Sequence, residues 1–304
     1  MKDPGIAIET HHMFWTNNFF MGACGTAEKY AEEAIALYDP ERDHSLTYKY
    51  SGHDPGVCSQ CVSGLAAWHR GALDHAAERC RGALALAERL SHPLTTALAY
   101  WGLAYLAMFR REAETTLAWA QKEIAICEEY LLPLLRSQGE FQAGWAVAQL
   151  GEVDAGIKQM EHGIQAIRAT GAEMGLPYLL GLLAETLAGS GGDRALQILD
   201  QAIGSAMQNG SHFLLSEVLR IKGEVLARMK DRNSKQIESL LRSAVHTAAE
   251  QNAPLPALRA ATSLARFLSN QQRRAEAHAV LQPHATLIAS LAGTQDATWA
   301  AEFA

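Results

Sequence analysis

The feature that most constrains this chain is a period. Gly71, Arg111, Gly151, Gly192, Asn233 and Arg273 sit at the same kind of turn between two helical runs, and their spacings are 40, 40, 41, 41 and 40. A fixed period of roughly 20–50 residues marks a repeat architecture. Each unit in such a fold is one supersecondary element that buries its apolar face only by stacking on its neighbours. Gly22 is an earlier member of the series, but it lies 49 residues before Gly71. About nine residues are therefore inserted between the first and second units.

Each unit has the same local grammar. Its first helix opens near a proline, at Pro55, Pro93, Pro133, Pro177 and Pro256. Proline suits the first helical turn, because its missing N–H would have no partner there and its φ is already right. A short turn follows, then a second helix with apolar residues at helical spacing, as in Leu196, Leu199, Ile203 and Met207. Twelve positions after several turns comes a small residue: Ala34, Ala83, Gly163, Gly204 and Ala285. A small side chain there lets paired helices cross closely. This is tetratricopeptide logic with helices longer than in the usual repeat of about 34 residues. Strand-like alternation is nearly absent. The expected fold is all-α: one continuous right-handed α-solenoid over residues 1–304, of about seven tetratricopeptide-like helix pairs. An inserted loop at 39–52 separates the first two pairs, and residues 293–304 form a short capping helix.

Composition narrows the function. The chain is 48% hydrophobic and 19% charged, so it has the means to fold. No apolar run approaches the roughly 20 residues of a membrane span, and Met1 to Gly5 lacks the pattern of a signal peptide. A cytoplasmic protein is expected. The net charge of −7, with no basic run, argues against nucleic acid, whose binding releases counterions to a cationic surface. Cys24, Cys58, Cys61, Cys80 and Cys127 are odd in number, so reduced thiols are expected. Cys58 and Cys61 form a single CxxC, which reads as two small residues on one helix.

Several segments resemble a known family. They are His11-His12-Met13-Phe14-Trp15, Phe19 to Gly22, Tyr38-Asp39-Pro40, Gly52-His53-Asp54-Pro55-Gly56-Val57-Cys58, Arg168 to Glu173, Leu179 to Ala184 and Leu258 to Phe267. Together they resemble the C-terminal tetratricopeptide region of bacterial signalling proteins that fuse a class III adenylate or guanylate cyclase to a signal-transduction NTPase. The likeness implies a non-enzymatic module for protein interaction, regulation or sensing, and it supplies no catalytic residues. The chain contains no Gly-x-x-x-x-Gly-Lys-Ser/Thr phosphate loop and no hydrolase motif. By this resemblance it is either the repeat region of a larger protein or a stand-alone relative without the ATP-driven parts.

Two sets of residues are candidates for function. The first helices of stacked pairs line the concave face of such an array. On them lie Trp101, Tyr105, Glu140, Trp145, Tyr178, Glu185, Arg220, Lys222, Arg259 and Arg266. Aromatics and arginine favour interface hot spots, and the arginines gather late in the chain, so an acidic protein or peptide partner is expected. For Trp101, Tyr105 and Trp145 the competing reading is core.

The second set surrounds the insertion: His11, His12, His44, His53, Asp54 and Cys58. No cofactor is required by the fold, but imidazole, carboxylate and thiolate are donors for zinc or iron. The alternative function is thus a repeat scaffold that binds a metal or small ligand near Gly52–Cys58 and carries a reaction there. The competing reading is that Asp54 caps a helix and His12 bonds within its own turn. Either way, Asp39 to Cys58 is expected to be ordered. It should pack on the first pair through Tyr38, Leu46, Tyr48 and Tyr50, and it should bring His12 and His53 together.

Overall fold

The helical period has the expected consequence. A computed structural model describes residues 4–189, 191–229 and 233–303, and among them every regular element is helical. The elements are α1 (Pro4–Phe20), α2 (Cys24–Leu37), α3 (Pro40–Asp43), α4 (Pro55–His69), α5 (Leu73–Leu90), α6 (Pro93–Phe109), α7 (Ala113–Glu129), α8 (Pro133–Gln149) and α9 (Val153–Ala169). There follow α10 (Leu176–Leu187), α11 (Gly192–Asn209), α12 (Leu215–Arg228), α13 (Ser234–Glu250), α14 (Pro254–Asn270), α15 (Arg274–Leu281), α16 (Ala285–Ser290) and α17 (Gln295–Ala301). Short 3-10 segments follow α3 and α15, at His44–Tyr48 and Gln282–His284.

The chain divides into two compact units. One holds Met1–Trp68 with Ala72–Glu173, the other Met174–Ala304 with the turn His69–Gly71. In the first, α1/α2, α4/α5, α6/α7 and α8/α9 are successive helix pairs, with α3 between the first two. In the second, α10/α11, α12/α13 and α14/α15 repeat the pattern before α16 and α17.

The turns fall where the period puts them. Gly22, Gly71, Arg111 and Gly151 have φ of 81°, 80°, 62° and 108°. Arg111 takes this left-handed conformation without glycine's freedom, so the surrounding helix ends impose it. Asn233 caps α13 with its side chain, and Gly192 begins α11. Pro55, Pro93 and Pro133 each open a helix, and Pro177 is the second residue of α10. In α14 the opening proline is Pro254, two residues before the expected Pro256.

Close crossing depends on missing side chains. A Cβ on Gly156 would lie 2.5 Å from the Gly144 carbonyl oxygen, and one on Gly163 would lie 2.9 Å from the Phe141 nitrogen. Any larger residue at these points would force the α8 and α9 backbones to shift. Gly204 occupies the position in its unit equivalent to Gly163, but nothing lies within 4 Å of a Cβ there. The small residue is required in one pair and incidental in the other.

Candidate functional site

The inserted segment is built as an ordered strap. Asp39 caps α3, its Oδ1 accepting from the Glu41 and Arg42 backbone N–H groups at 3.0 Å each. Asp43 is buried, takes the Asp39 N–H at 2.9 Å, and is gripped by the Arg42 guanidinium, which holds its carboxyl below the ordinary range against the cost of burial. Leu46 and Thr47 are buried, whereas Tyr48 and Tyr50 are 73% and 57% exposed. The expectation that all four apolar residues anchor the segment therefore fails for these two tyrosines. The anchors are Leu46 and Tyr38, the latter packing on the cluster of Val57, Cys61, Leu86 and Ala99.

Asp54 is the hub of the strap. It is fully buried, and its Oδ1 caps α4 by accepting from Gly56 N and Val57 N at 2.9 and 3.1 Å. Its Oδ2 accepts from the Tyr38 hydroxyl at 2.8 Å and lies 3.0 Å from His44 Nδ1. Its backbone N–H donates to Thr95 Oγ1 at 3.0 Å, and Thr95 in turn meets His92 Nδ1 at 2.9 Å. Burial and the Asp54 carboxylate push the Tyr38 hydroxyl pKa upward. Burial, then the neighbouring His44, push His92 down.

A second cluster lies beside this hub. His12 on α1, His53 in the strap and Cys58 in the first turns of α4 place one donor atom each within 4.8 Å of one another. His12 Nε2 is 3.6 Å from Cys58 Sγ, and the His12 and His53 rings meet edge to face at 5.1 Å. The other nitrogen of His12, Nδ1, is 3.3 Å from Glu9 Oε2, and the ring stacks on Trp15 at 4.7 Å. His53 Nε2 is buried with no hydrogen-bond partner among the described residues. Burial alone would raise the Cys58 thiol, but the charge of His12, then that of His53, outweighs it and draws the pKa down to about 5. Burial likewise opposes a charge on His12, yet the Cys58 thiolate and then Glu9 raise it to about 10. The two shifts run in the directions that favour a thiolate on Cys58 and a charged His12.

The six histidine, aspartate and cysteine candidates thus separate. His12, His53 and Cys58 come together. His44 and Asp54 are committed to the cap and the Tyr38 contact. His11 turns towards α2, 3.6 Å from Glu33 and beside the Tyr30 ring. Cys61 shares the CxxC but not the cluster, since its Sγ faces the Leu98 carbonyl at 3.7 Å. Sequence reasoning missed Glu9. Its signal was the i, i+3 spacing to His12 on one helix face.

The groove candidates fare differently. Tyr105, Trp145 and Tyr178 are buried in the core, and Trp101 is half-buried on the cluster around Val57. Glu140 sits at 3.0 Å from both Arg136 and His162. The larger correction concerns Arg220 and Arg259, read from the sequence as groove residues. Both are buried, and both are paired. Arg220 lies 3.1, 3.2 and 3.3 Å from Glu217, Glu224 and Glu185. Arg259 meets Asp296 of α17 at 2.6 Å. Lys222 pairs with Asp200, and Arg266 is 39% exposed, 3.7 Å from Glu224 with Phe303 beside it. The acidic partners at i−3 and i+4 of Arg220 were visible on its own helix.

Known proteins share this architecture. No family model matches the chain. An uncharacterized protein of Rhizobium meliloti (strain 1021) is 25% identical over 265 residues, which cover 86% of this chain and 26% of that protein. The chain thus spans about a quarter of the length of this curated relative. Among solved structures, NprR in complex with its cognate peptide NprX has a TM-score of 0.61 at 12% identity, covering 98% of this chain and 82% of that one. A Rap protein complexed with competence and sporulation factor has a TM-score of 0.58 at 10% identity, covering 98% and 95%. Yeast Tom70 has 0.55 at 18%, covering 92% and 59%. The fold is that of tetratricopeptide-like helical repeats. No described helix is long and apolar enough to cross a membrane.

Proposed function

We propose that the chain is a non-enzymatic interaction module that takes a peptide or an extended protein segment on its repeat helices and passes that event to a regulatory output. The observation that carries this reading is the fold likeness over 98% of the chain to two repeat proteins, one captured with its cognate peptide and the other with competence and sporulation factor. Within each unit, stacked first helices offer a surface suited to an extended ligand. The same reading places the module in the cytoplasm, as the repeat region of a bacterial signalling protein of the cyclase and NTPase type. In its support, the Rhizobium relative is long enough to carry further domains beside a region of this size. A preference for acidic partners loses the support of Arg220 and Arg259, whose charges are met within the protein; Arg266, 39% exposed and 3.7 Å from Glu224, is the most accessible of the three.

Selection from a random peptide library displayed on phage tests the reading. The expected result is a recurrent motif whose synthetic peptide binds saturably and protects first-helix amides from hydrogen exchange. Absence of any motif enriched over a heat-denatured control would overturn it.

A further inference from the structure

We propose that His12, His53 and Cys58 form a binding site for one divalent transition-metal ion of the zinc class, with Glu9 as the positioning partner of His12. This goes beyond the peptide reading and does not depend on it.

The donor set is the first argument. Two imidazoles and one thiolate are borderline-soft ligands, a combination that favours zinc over magnesium or calcium. The spacing is the second. With Zn–N near 2.0–2.1 Å and Zn–S near 2.3 Å, a tetrahedral angle puts nitrogen and sulfur about 3.6 Å apart. His12 Nε2 and Cys58 Sγ are 3.6 Å apart, and His53 offers a nitrogen within 4.8 Å of both. Coordination requires the His53 nitrogen to close from this distance to about 3.3–3.6 Å.

The third argument is the shell around the donors. A metal-bound histidine usually gives its other N–H to a carboxylate, which fixes the tautomer and the ring direction. His12 has this arrangement, with Nε2 towards Cys58 and Nδ1 at 3.3 Å from Glu9 Oε2. Stacking on Trp15 holds the ring plane. The fourth is an unanswered polar atom. His53 Nε2 is buried without a hydrogen-bond partner among the described residues, a cost that an ion would remove. Cys58 also lies in the opening turns of α4, where the helix dipole favours a thiolate. Three protein donors leave one tetrahedral position for water or an exogenous ligand.

Cobalt(II) titration of untagged, reduced protein is the test. One equivalent should bind, with tetrahedral d–d bands and a thiolate-to-cobalt charge-transfer band, and zinc should displace it stoichiometrically. Cys58→Ser should abolish the charge-transfer band. Glu9→Gln should retain the bands but weaken binding by about 10–100-fold. His53→Ala should weaken it at least as much. Because His53→Ala could unfold the strap, a second measurement uses the unaltered protein: zinc should slow alkylation of Cys58, mapped by peptide mass. A saturated cobalt spectrum without the charge-transfer band would overturn the proposal. So would cobalt affinity unchanged in Cys58→Ser, or alkylation of Cys58 indifferent to zinc.

Discussion

Tyr38 donates its hydroxyl to Oδ2 of Asp54 at 2.8 Å and so joins the two ends of the inserted segment. The ring of Tyr38 lies against the first turn of α4, where a Cβ on Gly56 would come within 2.5 Å of it. The run from Gly52 to Cys58 becomes legible from this contact. Gly52 takes a left-handed turn at φ 77°, Asp54 caps α4, Pro55 opens it, Gly56 makes room for Tyr38, and Val57 enters the core. His53 and Cys58 are the two members left over for chemistry.

Asp54→Ala should therefore cost more than a lost cap. A cap contributes about 1 kcal/mol. The part-buried Tyr38 hydroxyl would also lose its acceptor, at roughly 1–2 kcal/mol. A loss near 2–3 kcal/mol in urea unfolding is expected, together with faster hydrogen exchange from Asp39 to Asp54. A loss no larger than that of an ordinary exposed cap would mean that the strap is not held through this carboxylate.

Two glycine substitutions should act in opposite directions. Gly156→Ala drives a methyl group into the Gly144 carbonyl and Ala148. Backbone has to move, so destabilisation of about 1–3 kcal/mol is expected. Gly204→Ala meets nothing within 4 Å in the interior of α11. It should stabilise by about 0.5–1 kcal/mol through helix propensity and reduced chain entropy. Thermal unfolding of the two variants checks the sign of each, and equal effects would contradict the packing described.

Arg259 of α14 and Asp296 of α17 form a buried bidentate pair, with contacts of 2.6 and 2.9 Å. Removing one partner leaves an uncompensated charge in the interior, so Arg259→Leu should cost about 3–5 kcal/mol. The double variant with Asp296→Leu should recover much of that, because desolvation offsets most of the pair's attraction. A double-mutant cycle with additive losses would show that the two do not act as a unit.

The period, the turns and most helix starts were readable because they depend on local rules: proline at the first turn, small residues at crossings, apolar spacing. The meeting of His12 with His53 was also readable, since a strap between the first two pairs has to pass α1. What was not readable came from contacts distant in sequence. Arg259 looked like a groove cation because nothing near it in the chain announces Asp296, 37 positions away. Tyr48 and Tyr50 looked like anchors by composition, but the 3-10 turn at His44–Tyr48 directs Leu46 inward instead.

Glu123 carries the last prediction. It is fully buried on α7, with neither carboxylate oxygen bonded to a partner among the described residues. Burial raises its pKa well above the ordinary 4.5. The folded protein thus holds a proton that the unfolded chain releases above that value. The sign follows from linkage: Glu123 is least costly below pH 4.5, and its contribution falls as pH rises towards the folded pKa. Glu123→Gln keeps the shape and removes the titration. The variant should match the original protein in stability at acid pH and exceed it progressively towards neutrality, as read from urea midpoints across a pH series. A stability difference that stays constant with pH would show that the buried carboxyl does not titrate between the two states.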